Sequence, residues 1–114
     1  MMAIGTIPIT EAQFQKQVQD LAELNGWLWL HVERMGNSRG QWRTPMIGPL
    51  APGFSDLMLL SRRTGRIIFV ELKAQRGVLS ESQKLFRQTV GTDRSFVFRP
   101  SDWLQIVETL ANAH

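Results

Sequence analysis

The sequence predicts an α/β domain in which a sheet is flanked by helices, with the order α-β-β-β-α-β-α. Three observations carry this. Helical periodicity recurs in three separate stretches, at residues 11–25, 81–91 and 103–110. Four short β-branched or aromatic runs lie between them, bounded by glycine and proline. Two of these runs, 54–61 and 66–73, are almost continuously apolar, as in strands covered on both faces.

The elements follow in order. Residues 1–9 read as an N-terminal arm, and residues 10–114 as one domain. Thr10 is an N-cap, because its hydroxyl can accept from a free backbone N–H. Phe14, Val18, Leu21, Ala22 and Asn25 then recur at helical spacing, and Gly26 ends the helix. Trp27–Val32 reads as a strand, with Trp27, Trp29 and, later, Trp103 assigned to the core. Residues 35–52 hold glycines, prolines, arginines and a tryptophan in a long irregular loop, a length that in compact domains is either functional or disordered.

The runs 54–61 and 66–73 form a hairpin about the turn Arg62-Arg63-Thr64-Gly65. Pairing about that turn makes partner numbers sum to about 127. Ala74–Gly77 is the next turn. Ser80 caps the second long helix, with Gln83 in capping-box position. Ser95–Phe98 is a short strand that Arg99-Pro100 breaks. Ser101 caps the last helix, whose apolar stripe is Trp103, Ile106, Val107 and Leu110.

The composition excludes several chemistries. The chain of 114 residues has no cysteine, so disulfides, thiolate zinc and cysteine nucleophiles are out. It has two histidines, His31 and His114, too few for a histidine-rich metal site. No apolar run approaches the roughly 20 residues that span a bilayer, and the N-terminus lacks the pattern of a signal peptide. The expected location is the cytoplasm, and no membrane partner is expected. Net charge is +3, and ten of the thirteen cations are arginines, whose forked guanidinium suits phosphate.

The hairpin register carries the chemistry. It sets Asp56 opposite Glu71, and two carboxylates facing each other across a ladder repel unless a cation lies between them. Lys73 falls on the same face as Glu71, since side chains alternate along a strand. The set reads as a divalent-metal site with a lysine beside it. Asp56 and Glu71 are hard-oxygen ligands of the kind magnesium takes, and the Leu72 carbonyl can add a third. Lys73 can orient an attacking water or stabilise charge on a phosphate. A Glu71–Lys73 or Asp56–Lys73 ion pair at the sheet end is the plainer alternative. His31 can be a base or a structural histidine. Arg39, Trp42 and Arg43 interleave basic and aromatic character as nucleic-acid contacts do, and Arg76 and Lys84 are further candidates.

Gly53-Phe54-Ser55-Asp56, then Phe69-Val70-Glu71-Leu72-Lys73, then Gly77-Val78-Leu79-Ser80-Glu81-Ser82-Gln83 resemble the virus-type replication-repair nuclease family, VRR-NUC, a branch of the PD-(D/E)XK nucleases. The resemblance covers roughly residues 10–110. It implies a restriction-endonuclease-like core with a mixed central sheet. It also implies a Mg²⁺- or Mn²⁺-dependent endodeoxyribonuclease with Asp56 and Glu71 as acidic ligands and Lys73 as catalytic lysine. Gln83 matches a glutamine typical of this branch, and Glu11 a glutamate that completes the metal shell directly or through water. Ser55 stands where the family pattern has proline, a residue that stiffens the strand entry and supplies no ligand. Small members of the family resemble homodimeric Holliday-junction resolvases. The expected partners are therefore branched DNA and a second copy of the chain, with a bacterial or phage-infected cell as the setting. The alternatives are a nucleic-acid-binding module of the same fold without cleavage, or a regulator that acts by protein contact.

Overall fold

A computed structural model describes residues 9–32 and 48–114. The arm at residues 1–8 and the candidates Arg39, Trp42 and Arg43 lie outside the described residues. The helices and strands follow the expected order: α1 (Glu11–Leu24), β1 (Trp27–His31), β2 (Leu57–Ser61), β3 (Ile67–Leu72), α2 (Glu81–Val90), β4 (Ser95–Phe98) and α3 (Trp103–Asn112). Two 3-10 turns, Ala51–Gly53 and Pro100–Asp102, are additional.

The sheet is mixed, in the order β1-β2-β3-β4. β1 and β2 pair antiparallel, as do β2 and β3, while β4 joins β3 in parallel after the α2 crossover. The hairpin register is the expected one: Leu57 faces Val70 and Met58 faces Phe69, each pair summing to 127. Ser61 N–H donates to the Arg66 carbonyl at 2.8 Å to close the turn. Gly65 takes φ +78° there, a left-handed conformation that costs a side-chain-bearing residue about 1–2 kcal/mol.

Period-2 alternation sends Leu57, Leu59, Ile68 and Val70 to one face, where all four are fully buried. Phe14, Val18 and Ala22 of α1 and Ile106 and Leu110 of α3 close over them. Burying one such side chain is worth about 1.5–3 kcal/mol, so this layer fixes the sheet that carries the site. Trp27 fills the same core and donates its indole N–H to the Leu110 carbonyl at 2.8 Å, tying β1 to α3.

α1 and α2 start on complete capping boxes. Thr10 Oγ1 accepts from Gln13 N–H while the Gln13 side chain accepts from Thr10 N–H, and Ser80 and Gln83 repeat the pattern. The third cap is different. Asp102, not Ser101, occupies the N-cap of α3, and it makes no side-chain cap bond. Pro100 starts a 3-10 turn first, and the Ser101 hydroxyl accepts from Gln75 instead.

Three further expectations are corrected. Trp29 is 39% exposed because β1 is an edge strand; its indole N–H donates to Glu23 Oε1 at 2.8 Å. Val107 is 37% exposed, so the inward stripe of α3 is Trp103, Ile106 and Leu110. The second face of the sheet is only partly covered. Phe54 and Phe86 pack edge-on against Phe69, whereas Leu28 and Leu30 of β1 stay exposed.

Candidate active site

Asp56 sits between the Ala51–Gly53 turn and β2, one step beyond the Leu57–Val70 pair. It is held by three contacts through two of its oxygens. Its Oδ2 accepts from Leu72 N–H at 2.8 Å. Its backbone carbonyl accepts from Val32 N–H at 2.8 Å and lies 3.2 Å from His31 Nδ1. The His31 ring is therefore engaged by backbone, the structural reading of that residue. Among the described residues Asp56 Oδ1 has no hydrogen-bond partner.

Glu71 is a buried carboxylate, 4% exposed. Burying a charge is costly unless polar groups meet it, and Gln83 does so: its Nε2 donates to Glu71 Oε2 at 3.0 Å. The Gln83 Oε1 accepts from Ser80 N–H at 2.8 Å. One amide thus closes the capping box and fixes the carboxylate, and the two bonds settle which end is oxygen. Gly53 explains how α2 comes so near. A Cβ built on Gly53 would lie 2.2 Å from the Ser82 carbonyl oxygen and 2.5 Å from its carbon. Only glycine lets the 51–53 turn seat against the first turn of α2. The Phe54–Phe69–Phe86 cluster holds the same junction.

Lys73 leaves the end of β3, its N–H donating to the Phe98 carbonyl at 3.0 Å. It is half-buried and belongs to neither ion pair found among the described residues, which are Lys16–Asp20 and Lys84–Glu81. The Asp56–Lys73 pairing at the sheet end is thus not formed. Lys73 lines a cleft of about 1420 Å³ together with Glu11, Asp56, Leu72, Gln75 and Trp103. Glu11 heads α1 and reaches this cleft because Thr10 starts the helix at its rim. Glu71 does not line the cleft; its carboxylate turns toward α2.

The structure therefore gathers Glu11, Asp56, Leu72 and Lys73 at one cleft, with Glu71 and Gln83 linked behind it. Among the described residues no three acidic, histidine or cysteine side chains form a metal-holding cluster. The donor set fits magnesium or manganese nonetheless. It is all oxygen, and such ions are commonly held by one or two carboxylates with waters completing the shell. Arg76 is exposed on the turn after Lys73. Lys84 is exposed on α2, against the other sheet face, with Glu81 at 3.0 Å.

Sequence reasoning missed four residues around this site. Gly53 was visible only as the glycine before Phe54. Gln75, Arg99 and Ser101 carried no signal as a group, since they meet only when β4 lies beside β3: Arg99 Nη1 donates to the Ala74 carbonyl at 2.8 Å, and Gln75 and Ser101 exchange two bonds.

No helix among the described residues is long and apolar enough to cross a membrane. Comparison with curated proteins and with solved structures gives no match. A family model described as the VRR-NUC domain matches residues 10–98, which include α1, the whole hairpin, α2 and β4. With that span covering well over half of its length, the chain belongs to the VRR-NUC domain family, a family of nucleases acting on DNA.

Proposed function

We propose that the chain is a magnesium- or manganese-dependent endodeoxyribonuclease whose active site is the cleft at the end of the β2–β3 hairpin. The observation that carries this reading is the convergence of Glu11, Asp56, Leu72 and Lys73 on one cleft within the matched span. Asp56 and the Leu72 carbonyl would hold the ion, with Glu11 joining directly or through water; Glu71, which faces Gln83 in the structure, would join as a ligand by turning its side chain into the cleft. Once bound, the ion supplies an activated water and charge compensation at the phosphate and leaving oxygen.

The chain's own residues do the rest. The Leu72 N–H donates to Asp56 Oδ2 and fixes the side chain, which leaves Oδ1 as the oxygen to ligate a cation. Gln83 fixes the Glu71 side chain from α2. Lys73 brings an ammonium to the phosphate, where negative charge accumulates as the P–O bond breaks, and a preorganised cation there costs no reorganisation. Catalysis needs such groups on rigid elements, and strand ends over a packed core provide them.

The proposal extends to the substrate and the assembly. A small domain facing a duplex gains from a second copy, so that two sites address two strands. Leu104, 85% exposed, and Val107 on α3 offer apolar area for that contact. The reading is then of a homodimer cutting branched DNA such as a four-way junction.

A cleavage panel of four-way junction, flap, nicked and linear duplex, each with Mg²⁺ or Mn²⁺, tests this, alongside sedimentation of the protein. Metal-dependent cutting that favours branched DNA, by a dimer, is expected. The fact that Glu71 does not line the cleft favours a second reading, a module that binds DNA without cutting it. DNA binding with no cleavage by either ion would establish that reading in place of the first. Absence of DNA binding would overturn both and leave a protein-contact regulator.

A further inference from the structure

Lys73 lines the cleft from the first position beyond the end of β3. β3 ends at Leu72, and residues 74–77 form a turn with Gly77 N–H on the Ala74 carbonyl at 3.0 Å. The position of a lysine at such an end depends on what fixes the chain after it. Here that chain is held by β4 and the 3-10 turn beyond it. Arg99 Nη1 donates to the Ala74 carbonyl at 2.8 Å and reaches the Gln75 carbonyl at 3.4 Å. Gln75 Nε2 donates to Ser101 Oγ at 2.8 Å, and Ser101 N–H returns a bond to Gln75 Oε1 at 3.2 Å. Gly77 packs its backbone beside the lysine stem, since an added Cβ would stand 3.3 Å from Lys73 Cδ. Lys73, Ala74, Gln75, Pro100 and Ser101 all line the cleft.

We propose that Arg99 and the Gln75–Ser101 pair form a clamp that positions Lys73 in the cleft. The proposal rests on the nuclease reading for its effect on rate, but not for its effect on the lysine. The bonds belong to two different parts of the β4–α3 connection and converge on two consecutive residues of the turn. Losing them frees the turn at the peptide after Lys73. A displacement of about 1 Å in a catalytic group can cost on the order of a hundredfold in rate. The clamp bonds are exposed, so water replaces them in part, and we set the expected loss at about tenfold.

The test uses Arg99→Ala, Arg99→Lys and Gln75→Ala in the full chain, with two readouts. In the first, kcat for DNA cleavage with Mg²⁺ is expected to fall about tenfold for Arg99→Ala and Gln75→Ala. DNA affinity should stay as in the wild type, and Arg99→Lys, which keeps a donor for the Ala74 carbonyl, should recover part of the loss. In the second, the lysines are ¹³C-dimethylated and followed by NMR. The chain has three, Lys16, Lys73 and Lys84. The Lys73 methyl signal should move in Arg99→Ala while Lys16 and Lys84, each in its own ion pair, stay in place. Unchanged kcat in both alanine variants overturns the proposal, and so does a loss confined to DNA affinity, which would make Arg99 a substrate contact. If the wild type cuts no DNA, the nuclease reading falls by itself. The NMR readout then decides alone, and a Lys73 signal unmoved in both variants overturns the clamp.

Discussion

Gly53→Ala is the sharpest perturbation the fold allows. The added methyl would lie 2.2 Å from the Ser82 carbonyl oxygen, 2.5 Å from its carbon and 3.1 Å from Gln83 N. An ordinary C···O contact needs about 3.3 Å or more, so the 51–53 turn and α2 must separate by about 1 Å. The atoms in the way are backbone in the first turn of a helix, which cannot swing aside as a side-chain tip does. Overpacking of this kind costs about 1–3 kcal/mol. A compensating gain comes from the less flexible unfolded chain, but it is about 0.4–1 kcal/mol, and the clash wins. At about 4–8 °C per kcal/mol for a small domain, the melting temperature should fall by about 5–15 °C. The same separation draws Gln83 from Glu71, now 3.0 Å apart. Cleavage measured well below the melting point should therefore drop by one to two orders of magnitude, roughly the cost of a 1 Å misplacement. Gly65→Ala is the control. It is strained by φ +78° yet meets nothing within 4 Å, and it lies at the far end of the hairpin. It should lower stability by about 1–2 kcal/mol and leave the rate of the folded enzyme unchanged. Circular dichroism melts and single-turnover cleavage of all three proteins give the answer. A Gly53→Ala protein with wild-type stability and rate would refute the reasoning.

Three other substitutions test the site piece by piece. Lys73→Ala should reduce cleavage by about two to three orders of magnitude while Mn²⁺ binding, read by calorimetry, stays close to wild type; a collapse of the fold would show a structural lysine instead. Asp56→Asn keeps an oxygen for the Leu72 N–H, so its melting temperature should stay within a few degrees while Mn²⁺ binding is lost; Asp56→Ala, which orphans that N–H, should cost a further ~1 kcal/mol in a denaturant titration. Gln83→Ala removes both the cap bond to Ser80 N–H and the donor to Glu71, and should destabilise by about 1–3 kcal/mol, more than the ~1 kcal/mol expected for Ser80→Ala, which loses a cap alone; equal losses for the two would mean the Gln83–Glu71 bond contributes nothing.

The hairpin was legible because two signals agreed. Alternation with period 2 fixes which face each residue takes, and the Arg62–Gly65 turn fixes the register, so the sum of 127 follows without any tertiary information. The three helices were legible from periodicity and, for two of them, from a capping residue, joined at the second by a glutamine three positions on; the Gln13 partner of Thr10 emerged only in the structure. What escaped depends on neighbours far away in sequence. Ser101 has the chemistry of a cap, but Gln75 competes for its hydroxyl once β4 lies beside β3. Trp29 has the pattern of a buried residue, but its strand is at the edge. Gly53 has no unusual φ, and its necessity is the proximity of α2, which nothing local announces.

The candidate site draws its order from a single strand. Four consecutive residues of the β3 end serve four purposes. Val70 is fully buried among α1, α3 and the sheet. Glu71, on the opposite face, turns to Gln83. The Leu72 N–H holds Asp56 across the ladder, and Lys73 enters the cleft. Because the contacts of Glu71 and Leu72 start from the same ladder-bound backbone as Val70, the strand cannot shift under them without moving Val70. That residue, with Leu57, Leu59 and Ile68, has no exposed surface and no room to move in an interior packed at crystal density. Asp56 and Glu71 are therefore positioned by the hydrophobic core beneath the hairpin rather than by each other. Only beyond Leu72 does the ladder stop supplying this order, and there the contacts of Arg99, Gln75 and Ser101 take its place.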